Sequence, residues 1–86
     1  MDKYRNKPVI IEAEQLLVHN INKLEIWCGG SIKGMRLLPS ERCIDIQTPE
    51  GECRAEIGDF IIKGIKGEFY SCKPDFFKKT YEKIEE

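Results

Sequence analysis

Histidine and closely spaced cysteines are scarce in this sequence. His19 is the only histidine among 86 residues, and the four cysteines form no C-x-x-C pair. Zinc sites of the usual kind and Ser-His or Cys-His catalytic pairs need such residues. The phosphate-binding patterns G-x-x-x-x-G-K-S/T and G-x-G-x-x-G are also absent. We therefore expect a non-enzymatic protein that holds no metal and no cofactor.

The sequence also lacks a long apolar run and an excess of positive charge. No stretch approaches the roughly 18 residues of a membrane helix, and the opening MDKYRNKPVIIEAE predicts no signal peptide. The 14 Lys and Arg residues face 15 Asp and Glu, which gives a net charge of -1. General nucleic-acid binding needs a surplus of cations along the phosphate backbone. These absences predict a cytoplasmic protein with reduced thiols, no membrane association and no general nucleic-acid binding.

Alternating and β-branched residues predict strands over much of the chain. The segment KPVIIEAEQL alternates in this way, and CIDIQTPEGECRAEI contains two such runs joined by a Pro-Gly turn, which predicts a hairpin. The stretch GDFIIKGIKGEFYSC is either a second hairpin or one long strand bent twice at its glycines. The intervening SIKGMRLLPSER could form a broken strand.

Two segments have helical spacing. In NINKLEIWCGG, Asn20 is placed to cap a short helix whose apolar residues include Trp27, an expected core anchor, and Gly29 can end it. Pro74 suits the first turn of a C-terminal helix, and a stripe at helical spacing follows at Phe77, Thr80, Tyr81 and Ile84, widened by Phe76.

A chain of this length predicts one domain, spanning residues 1–86. We expect an α+β fold with a mostly antiparallel sheet of about five or six strands, a short helix near residues 20–28, and a C-terminal helix covering one face of the sheet. A core this small favours assembly into a homo-oligomer.

The candidate ligand-binding residues are Lys63, Lys66, Tyr70 and Lys73, which fall within one short bent segment. Lysines beside glycine turns can present ammonium groups next to free backbone N–H groups, which suits an anion, and Tyr70 could stack on a ligand ring. The alternative is that these lysines protect strand edges from unwanted pairing. The residues alone leave both interpretations open.

Residues 58–82, GDFIIKGIKGEFYSCKPDFFKKTYE, resemble the C-terminal signature of a family of small proteins encoded by tailed phages and prophages. In that family a Gly-Asp-aromatic turn leads to IIKG-x-KGEFY, then CKPD and TY. Residues 4–15, YRNKPVIIEAEQ, are similar to the same family's N-terminal strand. The segment from about Val18 to Arg54 has no counterpart.

The resemblance implies a phage origin, and hence a place in the cytoplasm of a bacterial host. Small non-enzymatic phage proteins commonly act by binding. One hypothesis is therefore a homo-oligomer that binds a small anionic, nucleotide-like ligand and sequesters a bacterial immune signal. The alternative is a protein-interaction module that inhibits or modulates a host protein.

Overall fold

Six strands and two α-helices form the described part of the chain, which comprises Asp2 and residues 10–84 of the computed structural model. The strands are β1 (Glu12–Gln15), β2 (Ser31–Lys33), β3 (Cys43–Thr48), β4 (Gly51–Glu56), β5 (Phe60–Lys63) and β6 (Phe69–Cys72). The helices are α1 (Ile21–Cys28) and α2 (Pro74–Thr80), and 3-10 turns occupy Val18–Asn20 and Pro39–Glu41. The predicted α+β class is confirmed. Residues 7–9 of the first predicted strand lie outside the described residues.

The strands divide into two antiparallel sheets of three, with orders β1-β5-β6 and β2-β3-β4. The predicted number of strands and their antiparallel pairing are confirmed, but one continuous sheet was expected. The two hairpins are local, because β3 pairs with β4 and β5 pairs with β6. The pairing of β1 with β5 instead joins distant parts of the chain.

Hydrogen bonds and backbone conformation define the turn of each hairpin. In the first, Thr48 pairs with Gly51, and the Thr48 hydroxyl donates to the Gly51 carbonyl at 2.5 Å. In the second, the Gly64 N–H donates to the Glu68 carbonyl at 2.8 Å, and Gly67 has a φ of 84°. That positive φ favours glycine. The second segment is therefore a hairpin, and the long bent strand is excluded.

The main core lies between the two sheets and α1. Its fully buried members include Leu16, Leu24, Ile44, Ile46 and Ile61. Trp27 of α1 meets Phe69 of β6 in a T-shaped contact, with ring centroids 5.0 Å apart. Trp27 thus packs against the core, as the predicted anchor role requires, but it is only partly buried.

The helix boundaries largely follow the sequence signals. Gly29 ends α1 with a φ of 65°, and Pro74 begins α2 as predicted. The Asn20 side chain, however, does not cap α1. It accepts a hydrogen bond from the Leu17 N–H at 2.8 Å and donates to the Gln15 carbonyl, so it fixes the turn before the helix.

Helix α2 covers the face of the β1-β5-β6 sheet that points away from the main core. Phe77 stacks on Phe60 with ring centroids 3.9 Å apart, and Tyr81 packs against Phe77. On the same face Ile62 is fully buried. Of the predicted stripe, Phe77 packs on the sheet from within α2, and Tyr81 packs against it from just beyond the end of the helix. The prediction is wrong for Phe76, Thr80 and Ile84, which are exposed.

Candidate functional site

An open groove of about 840 Å³ lies where the tips of the two hairpins approach each other. Its walls are the β3–β4 turn and the loop between β5 and β6, and its floor comes from β4 and β6. The residues that line it are Thr48, Pro49, Glu50, Cys53, Ile65, Lys66, Glu68, Phe69, Tyr70 and Ser71.

The groove follows from the way the two sheets meet. Strands β4 and β6 are each an outer strand of their own sheet. The Ser71 hydroxyl donates to the Arg54 carbonyl at 3.3 Å and links the two strands. Each hairpin continues beyond this hydrogen bond to its own turn. The two turns lie near each other without closing the space between them, and that space is the groove.

Two of the four predicted ligand-binding residues line the groove. Lys66 is exposed in the β5–β6 loop, and Tyr70 is half-buried on β6. Burial raises the pKa of the Tyr70 hydroxyl to about 12, with a smaller contribution from the neighbouring Tyr81 hydroxyl. Tyr70 therefore keeps its proton at neutral pH, and its side chain lies on the same face of the sheet as Ile62, with which it pairs.

Lys63 lies on the other face of the sheet from Tyr70, because successive side chains of a strand alternate between the two faces. It pairs with Phe69, and its Nζ lies 6.0 Å from the centroid of that ring. Tyr70 is the next residue along β6 and faces the opposite side of the sheet. Lys63 and Tyr70 therefore cannot converge on one ligand from a single face of this hairpin.

Lys73 is engaged in ion pairs. Its Nζ lies 3.0 Å from Glu56 Oε1 and 3.1 Å from Oδ2 of the buried Asp59. Hydrogen bonds to Glu56 and then Asp59 raise the pKa of Lys73. The predicted four-residue cluster is thus divided. Lys66 and Tyr70 line the groove, Lys63 lies over the ring of the groove-lining Phe69 without lining the groove itself, and Lys73 is engaged in ion pairs.

Sequence reasoning missed most of the groove. Glu50, Glu68, Phe69 and Ser71 all line it, and none of them is among the predicted ligand-binding residues. The sequence does not show that two hairpins from different sheets lie next to each other. The turn motif of each hairpin can be recognised, but neither motif indicates that the tips of the two hairpins lie side by side.

Glu68 has an unusual environment within the groove. Its Oε2 is buried and has no hydrogen-bond partner among the described residues. The carboxylate folds over Gly64, where an added Cβ would overlap Glu68 Oε1. The glycine therefore provides the space in which this carboxylate sits, and Oε2 is enclosed there.

Other kinds of site have less support in the described residues. None of their His, Cys, Asp and Glu side chains form a group of three or more that could hold a metal ion. His19 is exposed in the turn before α1, and the four cysteines are free thiols. Over this part of the chain, no helix has the length and apolar character needed to span a bilayer.

Comparison of the chain with protein-family models, with curated proteins and with solved structures finds no match.

Proposed function

We propose that the protein is a non-enzymatic phage or prophage accessory protein that binds a small anionic, nucleotide-like ligand in the groove between its hairpin tips. The observation that carries this proposal is the groove of ligand size, which Lys66, Phe69 and Tyr70 help to line. Small-molecule sites are commonly concave, with volumes of roughly 300–1,000 Å³, and combine apolar walls with a few polar groups.

Each part of the groove has a role in this proposal. The ammonium group of Lys66 neutralises a phosphate, and the ring of Tyr70 stacks on the base. Ser71 donates its own proton to the Arg54 carbonyl, so its oxygen can still accept a hydrogen bond from the ligand. The phage origin, and with it a place in the host cytoplasm and the sequestering of an immune signal, rests on the resemblance of residues 58–82.

Binding can be tested by titration calorimetry with AMP, cyclic AMP and cyclic dinucleotides. We expect Lys66→Glu to weaken binding at least about tenfold, since a charge-assisted contact contributes about 1.5–3 kcal/mol. Lys79→Glu is the matched control, because Lys79 is exposed on α2 and does not line the groove. Equal affinity in the wild type and the Lys66→Glu variant would refute the assignment.

Cys53 offers an independent measurement of occupancy. It lines the groove as a free, half-buried thiol, whereas the half-buried Cys72 lies outside it. A bound ligand should slow alkylation of Cys53 by iodoacetamide and leave the rate at Cys72 unchanged. Peptide mass spectrometry measures both rates in one sample, so Cys72 serves as an internal control.

The proposal includes assembly into a homo-oligomer, supported by the loop between β2 and β3. Met35, Leu37 and Leu38 are 60%, 52% and 65% exposed there. The loop is held in place by the bond from the Leu37 N–H to the Gly34 carbonyl at 2.9 Å and by Arg42 donating to the Met35 carbonyl at 3.4 Å. Neighbouring apolar side chains displayed by a fixed loop suit a protein contact.

The same loop supports the second candidate function, a module that docks on a host protein. Native mass spectrometry of the wild type and of a Leu37→Ser, Leu38→Ser variant separates the two. An oligomer that dissociates in the variant supports contact between copies. A wild-type monomer, together with a host protein captured by the wild type and lost by the variant, supports the module instead.

A further inference from the structure

Strand β1 leaves one edge of its sheet open. The order β1-β5-β6 places it on the outside. The Leu16 N–H donates to the Asp59 carbonyl at 2.7 Å, and the Leu16 carbonyl accepts from the Gly58 N–H at 2.7 Å. The backbone groups of successive residues in an antiparallel strand point alternately toward and away from the paired strand. The N–H and carbonyl of Ala13, three positions before Leu16, therefore point outward.

The other outer strands are covered more fully. On β2 the Ile32 N–H donates to the Glu25 carboxylate at 2.7 Å, so a side chain of α1 covers that edge. Strands β4 and β6 are linked to each other through the Ser71 hydroxyl and the Arg54 carbonyl. Among the described residues, none bonds to the Ala13 backbone from its outer side. An edge of this kind is a template for pairing with another chain.

A cleft of about 480 Å³ lies beside this edge, between β1 and α1. The residues that line it are Glu12, Ala13, Glu14, Lys23, Ile26 and Trp27. Ile26 is 82% exposed, and Trp27 is half-buried with one side of its ring against Phe69. The cleft thus combines an aliphatic and aromatic wall on α1 with two carboxylates on β1.

The charges in and around the cleft leave one carboxylate without a partner. Glu14 is paired with Lys23, whose Nζ lies 3.0 Å from its Oε1. Lys63 pairs with Glu12 in the strand register, but its Nζ lies over the Phe69 ring, 6.0 Å from the centroid. Glu12 is exposed and forms no ion pair with any residue that the structure describes. The cleft therefore has a place for one further cation.

An arginine or lysine side chain matches both properties of the cleft. Its long aliphatic stem can lie along apolar surface while its charged head stays beside a carboxylate, and a cation is also attracted to the face of an indole ring. Glu12 and Glu14 share the face of β1 that looks toward α1, because side chains of a strand alternate. A strand added beside Ala13 would direct every second side chain toward that same face.

A second copy of β1 is a poor occupant of this edge. Antiparallel pairing of two β1 strands about Ala13 would place Glu12 opposite Glu14 on both sides of the centre. Like charges directly opposite each other destabilise a sheet. The carboxylates therefore favour a partner strand of different sequence that carries a basic residue.

We propose that β1 accepts an extended peptide segment of another protein, which adds to the sheet as a strand and places a basic side chain in the cleft. In such recognition the main-chain hydrogen bonds supply affinity and the side-chain pockets supply specificity. Ala13 exchanges hydrogen bonds with the added strand, Glu12 pairs with the basic head group, and the stem packs on Ile26 and Trp27. The cleft shares no lining residue with the groove between the hairpin tips, so this site is separate from the proposed nucleotide site.

Fluorescence titration of the full chain tests the proposal, because Trp27 is the only tryptophan and lines the cleft. The probe is the peptide acetyl-TVTRTVT-amide, and acetyl-TVTETVT-amide is its control. We expect the arginine peptide to shift the Trp27 emission saturably and to bind at least fivefold more tightly than the glutamate peptide.

Substitutions on β1 separate the two contacts. Ala13→Pro removes the outward N–H and no bond to β5, so peptide binding should be lost, whereas Ala13→Val keeps that N–H and should bind like the wild type. Glu12→Gln removes the charge that faces the arginine and should weaken binding at least threefold. Glu41→Gln is its control, because Glu41 is exposed in the Pro39–Glu41 turn and lies outside the cleft.

Three outcomes would overturn the proposal. The first is equal affinity for the two peptides, and the second is wild-type affinity in both Ala13→Pro and Glu12→Gln. The third is a wild-type dimer in native mass spectrometry that dissociates in Ala13→Pro but not in Ala13→Val, which would assign the edge to a second copy of the chain. Since Lys66 and Cys53 lie outside the cleft, none of these results alters the nucleotide titrations.

Discussion

Lys73 and Asp59 are joined by an ion pair in which the lysine Nζ lies 3.2 Å from Oδ1 and 3.1 Å from Oδ2 of a carboxylate that is only 4% exposed. Asp59 also accepts a hydrogen bond from the Glu56 N–H at 2.9 Å. The pair therefore connects the turn between β4 and β5 to the residue that precedes α2.

The first prediction concerns Asp59. Asp59→Ala leaves the Glu56 N–H without its acceptor and removes the partner of Lys73, so we expect a loss of about 1–3 kcal/mol in the free energy of unfolding. Urea unfolding followed by circular dichroism measures the change. Lys73→Ala should also destabilise the protein, because it leaves the Asp59 carboxylate buried without a counter-charge. Wild-type stability in both variants would show that the ion pair has no structural role.

The second prediction concerns the alkaline limit of stability. Because the pKa of Tyr70 is raised from 10.0 to about 12 in the folded protein, the unfolded chain loses this proton first as pH rises. The stabilisation is therefore fully present below pH 10 and is lost between pH 10 and about 12. Absorbance at 295 nm should show a late tyrosine ionisation. Tyr70→Phe should abolish that step and flatten the fall in melting temperature over this range.

The third prediction concerns acid. Asp45 on β3 is buried, and the Arg54 Nε donates to its Oδ1 at 2.9 Å, which lowers the pKa of Asp45 below its usual 3.8. The stabilisation is present above pH 3.8 and is lost as pH falls through the lower folded-state pKa. Arg54→Ala should therefore destabilise the protein at pH 7, and the difference in melting temperature should shrink below pH 3.8. A difference that does not change with pH would contradict the pairing.

The fourth prediction concerns the attachment of α2. Phe77→Ala removes the ring stacked on Phe60 and should lower the free energy of unfolding by about 1–3 kcal/mol. Phe76→Ala is the matched control, since the neighbouring Phe76 is 64% exposed and its removal should have little effect. Denaturant unfolding compares the two variants, and equal losses would show that α2 does not dock through Phe77.

The features that sequence reasoning predicted well are those set by neighbouring residues. The turn at Thr48–Gly51, the positive φ of Gly67 and the C-cap at Gly29 each depend on local conformational preferences, and so do the starts and ends of the strands around them. The packing of Trp27 against the core could be predicted because a small domain needs the large apolar area of such a side chain. Its partner Phe69 could not be predicted in this way.

The division into two sheets could not be predicted in the same way. The division depends on which distant strand pairs with β1. The residues of β1 alone do not specify that β5 is this partner. The candidate site was predicted only in part for a related reason. Lys73 looked free because its partners, Glu56 and Asp59, lie across a turn, and the groove needs two hairpins whose mutual placement is a tertiary property.

The pairing of β1 with β5 sets the order in which the molecule can be completed during synthesis. The β3–β4 hairpin can close as soon as its own residues have left the ribosome, but Glu12 must wait for Lys63. We therefore expect β1 to stay unpaired until β5 has been made, so that the β1-β5-β6 sheet becomes resistant to proteases later than the β3–β4 hairpin.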